Sequence, residues 1–355
     1  MNKLFSWALG GESSQGSRAE KRINLALQGG GAHGAFTWGV IDRLLEDGRV
    51  GIDGLSGASA GAINAVMLAD GLARGGREEA RKRLADFWRA ASVDGGLSPV
   101  QRQVFDRLLT AHSFATAPMN SWMQSMGRLM GTDVNPLNIN PLKRLIERFV
   151  DFDAIRNSGR DLFISTTNAQ TGDLRIFTAA ELTPEVVMAS AALPPLFRAV
   201  EIDGEHYWDG GYTSNPPLLP FLQTKDSEDV LLVQIFPVRR EETPTSSREI
   251  AGRTSEIAFN APMYAELRAL DAVDRVAAEQ GKGARRLRLH RIVLDEREVA
   301  TDAASRLNNQ FDFFQTLHEL GRNAAERFLT EHFDAIGSHS SMDDVIEADQ
   351  EYARG

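Results

Sequence analysis

Apolar residues first fall into a regular order at Ile23-Asn24-Leu25-Ala26-Leu27, a strand-length run that ends in a glycine cluster at residues 29–34. The pattern then alternates. Residues 36–46 have helical spacing, residues 51–55 read as a second strand, a further glycine turn covers 57–61, and a helix runs from Ala60 to about Leu72. Strands alternating with helices predict an α/β fold with a mostly parallel central sheet flanked by helices.

Farther along, residues 77–91 read as a charged amphipathic helix. After Asp94-Gly95-Gly96 a less regular stretch reaches Pro141, with Trp122, Met123, Met126, Leu129 and Met130 set among polar residues. That stretch fits either a lid or substrate wall or, equally, a Met-rich core helix. Strand patterns resume at 161–166 and 174–177. Thr183 then fits an N-cap, Pro184 the first helical position, and Pro194-Pro195 a stop after the small residues Ala189-Ser190-Ala191-Ala192. Residues 229–237 read as a buried strand and 239–253 as a charged surface loop, with helix, strand and helix expected at 255–280, 286–294 and 302–329. The expected organisation is a flexible lead (1–22), a core (23–220), an α/β extension packed on it (221–336) and a polar tail (337–355).

Composition narrows the function classes. The 355 residues exceed the usual single-domain size of roughly 100–150, so they form one large unit or two domains. With 39 Lys and Arg against 49 Asp and Glu, the formal charge is −10, which argues against nucleic acid as a partner and against general attraction to anionic membranes. Cysteine is absent, which excludes disulfides, thiolate metal sites and cysteine nucleophiles and fits a reducing, cytoplasmic home. The brief apolar run through Leu4, Phe5, Trp7 and Leu9 is too short for a signal peptide, and no stretch approaches the ~20 apolar residues of a membrane span. Peripheral membrane contact stays compatible with these features. Lys282, Arg285, Arg286, Arg288 and Arg291 form a local basic cluster that suits either lipid headgroups or, more simply, the solvated face of an edge strand.

Three elements carry candidate chemistry. Gly57-Ala58-Ser59-Ala60-Gly61 is a G-x-S-x-G motif between a strand and a helix, the context in which a sharp turn presents a serine as nucleophile. Gln28-Gly29-Gly30-Gly31-Ala32-His33-Gly34 also links a strand to a helix, and its consecutive glycines let backbone N–H groups converge on an anion. Gly29, Gly31 and Gly34 satisfy G-x-G-x-x-G as well, with Asp53 about 20 residues on, so a nucleotide-binding module is an alternative. Against it, Asp53 precedes Gly54-Leu55-Ser56 instead of closing the second strand. Asp209-Gly210-Gly211, after Tyr207-Trp208, is either a plain turn or a carboxylate released beside a partner.

Together, in this order, the glycine loop, the serine elbow and the Asp-Gly-Gly turn resemble the patatin-like phospholipase family, as does Ala189-Ser-Ala-Ala-Leu-Pro-Pro195. The resemblance runs from about Ile23 to Leu219. It implies the patatin-type variant of the three-layer α/β-hydrolase-like fold and a lipid or other acyl-ester substrate, with no metal or organic cofactor. It also implies a catalytic dyad of Ser59 and Asp209, an oxyanion hole from Gly29, Gly30 and Gly31, and support from Gly34, Gly57, Gly61, Gly210 and Gly211, working through an acyl-enzyme. Three competitors stay open: a Ser-Asp-His esterase or thioesterase using His290, His318, His332 or His339, the nucleotide-binding module, and a silent scaffold. Positional specificity and oligomeric state are not legible in the chain.

Overall fold

The computed structural model describes residues 21–92, 141–194, 197–240, 242–279, 287–295, 305 and 308–342. The Met-rich stretch expected as a wall or core helix lies outside the described residues.

The first strand, β1 (Lys21–Leu27), leads through the glycine loop into α1 (Gly34–Asp47), and β2 (Val50–Gly57) leads through the elbow into α2 (Ala60–Ala91). Two helices were expected across 60–91. They merge into one run that bends at Gly76, where φ is +72°. Next come α3 (Pro141–Phe149), α4 (Phe152–Asn157), β3 (Leu162–Asn168), β4 (Leu174–Thr178) and α5 (Pro184–Ser190). As expected, Thr183 caps α5 through Val186 N–H and Pro184 opens it. The remaining elements are β5 (Val200–Ile202), β6 (Glu205–Asp209), β7 (Asp229–Gln234), α6 (Ser247–Glu279), β8 (Arg288–Val293) and α7 (Phe311–Glu331).

The strands form one sheet in the order β5-β6-β3-β2-β1-β7-β8, with β4 added on β3. Pairings among β3, β2, β1, β7 and β8 are parallel, while β4, β5 and β6 pair antiparallel. Because side chains alternate along a strand, the sheet feeds two cores. Leu25, Leu27, Leu231 and Val233 join the cluster that includes α1, α2 and α7, whereas Ala26, Val230 and Leu232 join Met263, Leu267 and Leu270 of α6. That is a three-layer α/β arrangement. Residues after 220 supply β7 directly beside β1, so both ends of the described chain share one sheet.

At the edge, β8 keeps the expected alternation at Arg288 and Leu289 but breaks it at His290, which is fully buried. Leu287 and Leu289 are buried, and the Arg288 guanidinium is committed to Glu228 and Asp229.

Candidate active site

The register of β3 explains how two residues 150 positions apart meet. Running parallel to β3, β2 ends with Gly57 opposite Ile164, while antiparallel β6 ends with Asp209 opposite Thr166. Since β4 occupies the other edge of β3 over Phe163–Thr167, β2 and β6 share one edge and arrive from opposite directions. Their ends are two β3 residues apart, about 7 Å at ~3.3 Å per residue. Ser59 follows one end and Asp209 is the other.

At the elbow, Ser59 has φ +53° and ψ −124°, a conformation that costs a non-glycine residue about 1–3 kcal/mol. The turn can be this sharp because Gly61 has no side chain: a Cβ there would sit 2.0 Å from the Leu27 carbonyl oxygen. Ser59 does not cap α2 with its own oxygen, so the hydroxyl is left for another partner. Its neighbour there is the Asp209 carboxylate, whose pKa the Ser59 hydroxyl lowers and which accepts Gly211 N–H at 2.8 Å. Asp209 is 1% exposed, and burial pushes its carboxyl up from an ordinary 3.8 to about 7, against the lowering effect of the Gly211 N–H and the Ser59 hydroxyl. Gly210 allows this depth, since a Cβ there would lie 2.1 Å from the Ser165 carbonyl oxygen.

The glycine loop lies against the elbow. A Cβ on Gly29 would touch Ser59 Cβ at 2.7 Å, and one on Gly34 would touch Ala60 Cβ at 2.8 Å. Three amides brace the loop. Gln28 accepts Ile235 N–H and Phe236 N–H at 2.7 and 2.9 Å, Asn64 of α2 donates to the Gly34 carbonyl at 2.9 Å, and Asn215 accepts Gly29 N–H at 2.7 Å. The Gly29 N–H, expected among the oxyanion donors, is therefore already spent on Asn215. Among the described residues the N–H groups of Gly30, Gly31 and Ala60 make no hydrogen bond. Ala60 opens α2, so the helix dipole also favours negative charge beside Ser59.

Beyond Ser59 and Asp209, buried Glu266 of α6 accepts Leu218 N–H and Leu219 N–H at 2.6 and 2.9 Å and also bonds Ser214. It holds the segment that carries Asn215. Gln28 and Asn215 were visible only as neighbours of the motifs, and nothing local marked Glu266.

None of the candidate histidines touches Asp209. His290 is fully buried, with Nε2 3.0 Å from Asp229 Oδ1 and Nδ1 3.0 Å from Ser341 Oγ, at the ends of the parallel strands opposite Ser59. His318 pairs with Asp42 and packs at a tilt against Trp38, His332 lies beside Glu331, and His339 is at the surface beside Ser338. His33 of the glycine loop bonds Ser305 through Nε2. Asp53, which a nucleotide site needs beside the loop, sits in the middle of β2, four residues before the elbow begins, in an ion pair with Arg22. Among the described residues no group of three His, Asp or Glu is placed to hold a metal, and no helix is long and apolar enough to cross a membrane. A cavity of about 330 Å³ lined by Lys143, Met188, Ala192 and Arg198 backs onto α5 and includes neither Ser59 nor Asp209.

In overall shape the chain is similar to VipD from Legionella pneumophila, with 15% identity over 86% of this chain and 67% of that one at a TM-score of 0.36. It is likewise similar to ExoU in its heterodimeric complex with SpcU from the type III secretion system of Pseudomonas aeruginosa, with 18% identity over 87% of this chain and a TM-score of 0.35. The match covers 52% of that chain, so this chain spans about half its length. No curated protein matches the sequence. A family model described as patatin-like phospholipase does match, over residues 25–222, from inside β1 to just past the loop that Glu266 holds. That span is more than half of the chain and contains the glycine loop, the elbow and the Asp-Gly-Gly turn in one register, and the chain belongs to the patatin-like phospholipase family.

Proposed function

We propose that the chain hydrolyses carboxylic esters of lipids, with Ser59 as nucleophile and Asp209 as its base. The observation that carries this reading is the buried Asp209 carboxyl beside the Ser59 hydroxyl, which lowers its pKa, with none of the described histidines on either.

A carboxylate of ordinary pKa is a weak base toward a serine. Burial that lifts Asp209 to about 7 brings it near the pH where a general base is most effective. As the Ser59 oxygen attacks the acyl carbon, its proton passes to Asp209 and negative charge develops on the former carbonyl oxygen. Gly30, Gly31 and Ala60 offer N–H groups for that charge, and losing one such donor typically costs about 2.7–4 kcal/mol. Collapse of the tetrahedral intermediate breaks the bond to the leaving alcohol, which takes the proton from Asp209, and leaves the acyl group on Ser59. Asp209 then removes a proton from water, the hydroxide attacks the acyl carbon, and the fatty acid departs as Ser59 recovers its proton. Each residue ends as it began. Substrate delivery at a membrane surface is compatible with this scheme.

The test pairs the wild type with Ser59→Ala on a panel of acyl esters of varied chain length and headgroup. Hydrolysis lost with Ser59 supports the proposal. Hydrolysis that survives the substitution, or no hydrolysis of any ester by the wild type, overturns it.

A further inference from the structure

We infer that the turn closing α5, residues 190–192, is the element that sets Ser59 and Asp209 relative to one another, with Ser190 as a positioning residue; this rests on the dyad reading above. Ser59 N–H donates to Ser190 Oγ at 3.0 Å, and Asp209 N–H donates to the Ala192 carbonyl at 3.1 Å. Two acceptors two residues apart thus hold the main chains of both partners.

The need for them follows from where each N–H lies. The β2–β3 ladder ends at the Gly57–Ile164 pair, and the bonds that start α2 begin with Gly61 N–H to the Ala58 carbonyl. Ser59 falls in the gap between sheet and helix, in a left-handed conformation that neither neighbour supports. An acceptor must come from elsewhere in the chain, and a hydroxyl on a packed helix end supplies one at a fixed place. Asp209 is the last residue of β6, and its Cα partner across the ladder is Thr166, whose neighbour Thr167 donates its hydroxyl to the Asp209 carbonyl at 2.8 Å. The Asp209 N–H turns instead to Ala192.

The turn is suited to this task because it has no slack. Ser190 and Ala192 are fully buried, as are Val186, Val187 and Ala189 on the same helix. Ala191 N–H bonds the Met188 carbonyl, and Ala192 N–H bonds the Ala189 carbonyl, which fixes the chain through the turn. At its other end α5 is held by the Thr183 cap and by a contact between Lys143 and Glu185 at 3.1 Å. The β3 edge brings the two strand ends close, while the 190–192 turn fixes the last ångström of their approach. Misplacement on that scale typically lowers turnover by about 100-fold.

Two measurements test the assignment. In the wild type, amide hydrogen exchange at Ser59 is expected to be as slow as in β2; exchange at the rate of an exposed loop overturns the proposal without any variant. Ser190→Ala is expected to lower kcat by about 10- to 100-fold with KM within about twofold, to raise exchange at the Ser59 amide, and to leave the pH midpoint of activity in place. Ser190→Thr, which keeps the acceptor, is expected to restore slow exchange at Ser59. Full kcat in Ser190→Ala overturns the inference. If Ser59→Ala is inactive while Ser190→Ala is fully active, only the positioning role falls; if Ser59→Ala is active, the dyad reading falls first.

Discussion

Replacing Asp209 with Asn removes a buried charge, and its effect on stability should depend on pH in a defined direction. Asp209 is 1% exposed, and its carboxyl is raised by burial from 3.8 to about 7. A carboxyl with a higher pKa when folded holds a proton that the unfolded chain releases, so stability from this group is full in acid and declines as pH rises from about 4 to about 7. One proton contributes up to about 1.4 kcal/mol per pH unit, so the decline totals on the order of 4 kcal/mol, of which about 1.4 kcal/mol falls between pH 6 and pH 8.5. Asparagine does not titrate, and its carbonyl still accepts the Gly211 N–H. Urea unfolding of both proteins at a series of pH values isolates the group, because every other titration is common to the pair. Relative to the wild type, Asp209→Asn should gain stability mainly between pH 6 and about pH 7.5 and level off above that. A difference that stays flat across this range would refute the argument that burial raises Asp209.

The same group should set the acid limb of activity, with kcat/KM rising through a midpoint near pH 7 as Asp209 becomes the base; a midpoint near 4 in a pH–rate profile would contradict its burial. His290→Ala should keep ester hydrolysis within about threefold, against the roughly 10⁴-fold loss typical of triad members, because His290 bridges Asp229 and Ser341. Its thermal midpoint should fall, since the Asp229 and Ser341 oxygens lose a buried partner worth about 1–3 kcal/mol. Gly39→Ala should destabilise the fold by about 3 kcal/mol or more in denaturant titration, because its Cβ would lie 1.9 Å from the His318 carbonyl oxygen where α1 crosses α7.

How much of this was legible depended on whether the determinant was local. Strand, glycine loop, helix, strand, elbow and helix from β1 to α2 could be read directly, because periodicity and turn residues act within a few positions. Errors arose where one local signal masked another. Residues 239–253 read as a charged loop, yet α6 begins at Ser247, since the Glu249 carboxylate accepts Thr245 N–H and Ser246 N–H while Ser246 Oγ accepts Glu249 N–H. That reciprocal cap is written as Ser-x-x-Glu and was hidden by its charged surroundings. Between β5 and β6, Asp203 and Gly204 both have positive φ, the conformation of a two-residue hairpin turn, so the Asp-Gly pair marked a hairpin that the strand pattern alone did not. The residue types of the site could also be read, but the meeting of Ser59 with Asp209 was expected only through the family resemblance and not from any local pattern. It comes from two strands ending head to head on β3, a register that no single segment encodes. For the same reason the commitment of Gly29 N–H to Asn215 was invisible: it joins two motifs 186 residues apart.

If Ser59 is the nucleophile, a long-chain alkyl fluorophosphonate will find it, because such a probe phosphonylates an activated serine and stays bound. After the wild type is labelled and digested, mass mapping should place the adduct on Ser59, with ester hydrolysis falling in step with its occupancy. An adduct elsewhere, or hydrolysis that continues with Ser59 fully labelled, would rule Ser59 out as the nucleophile.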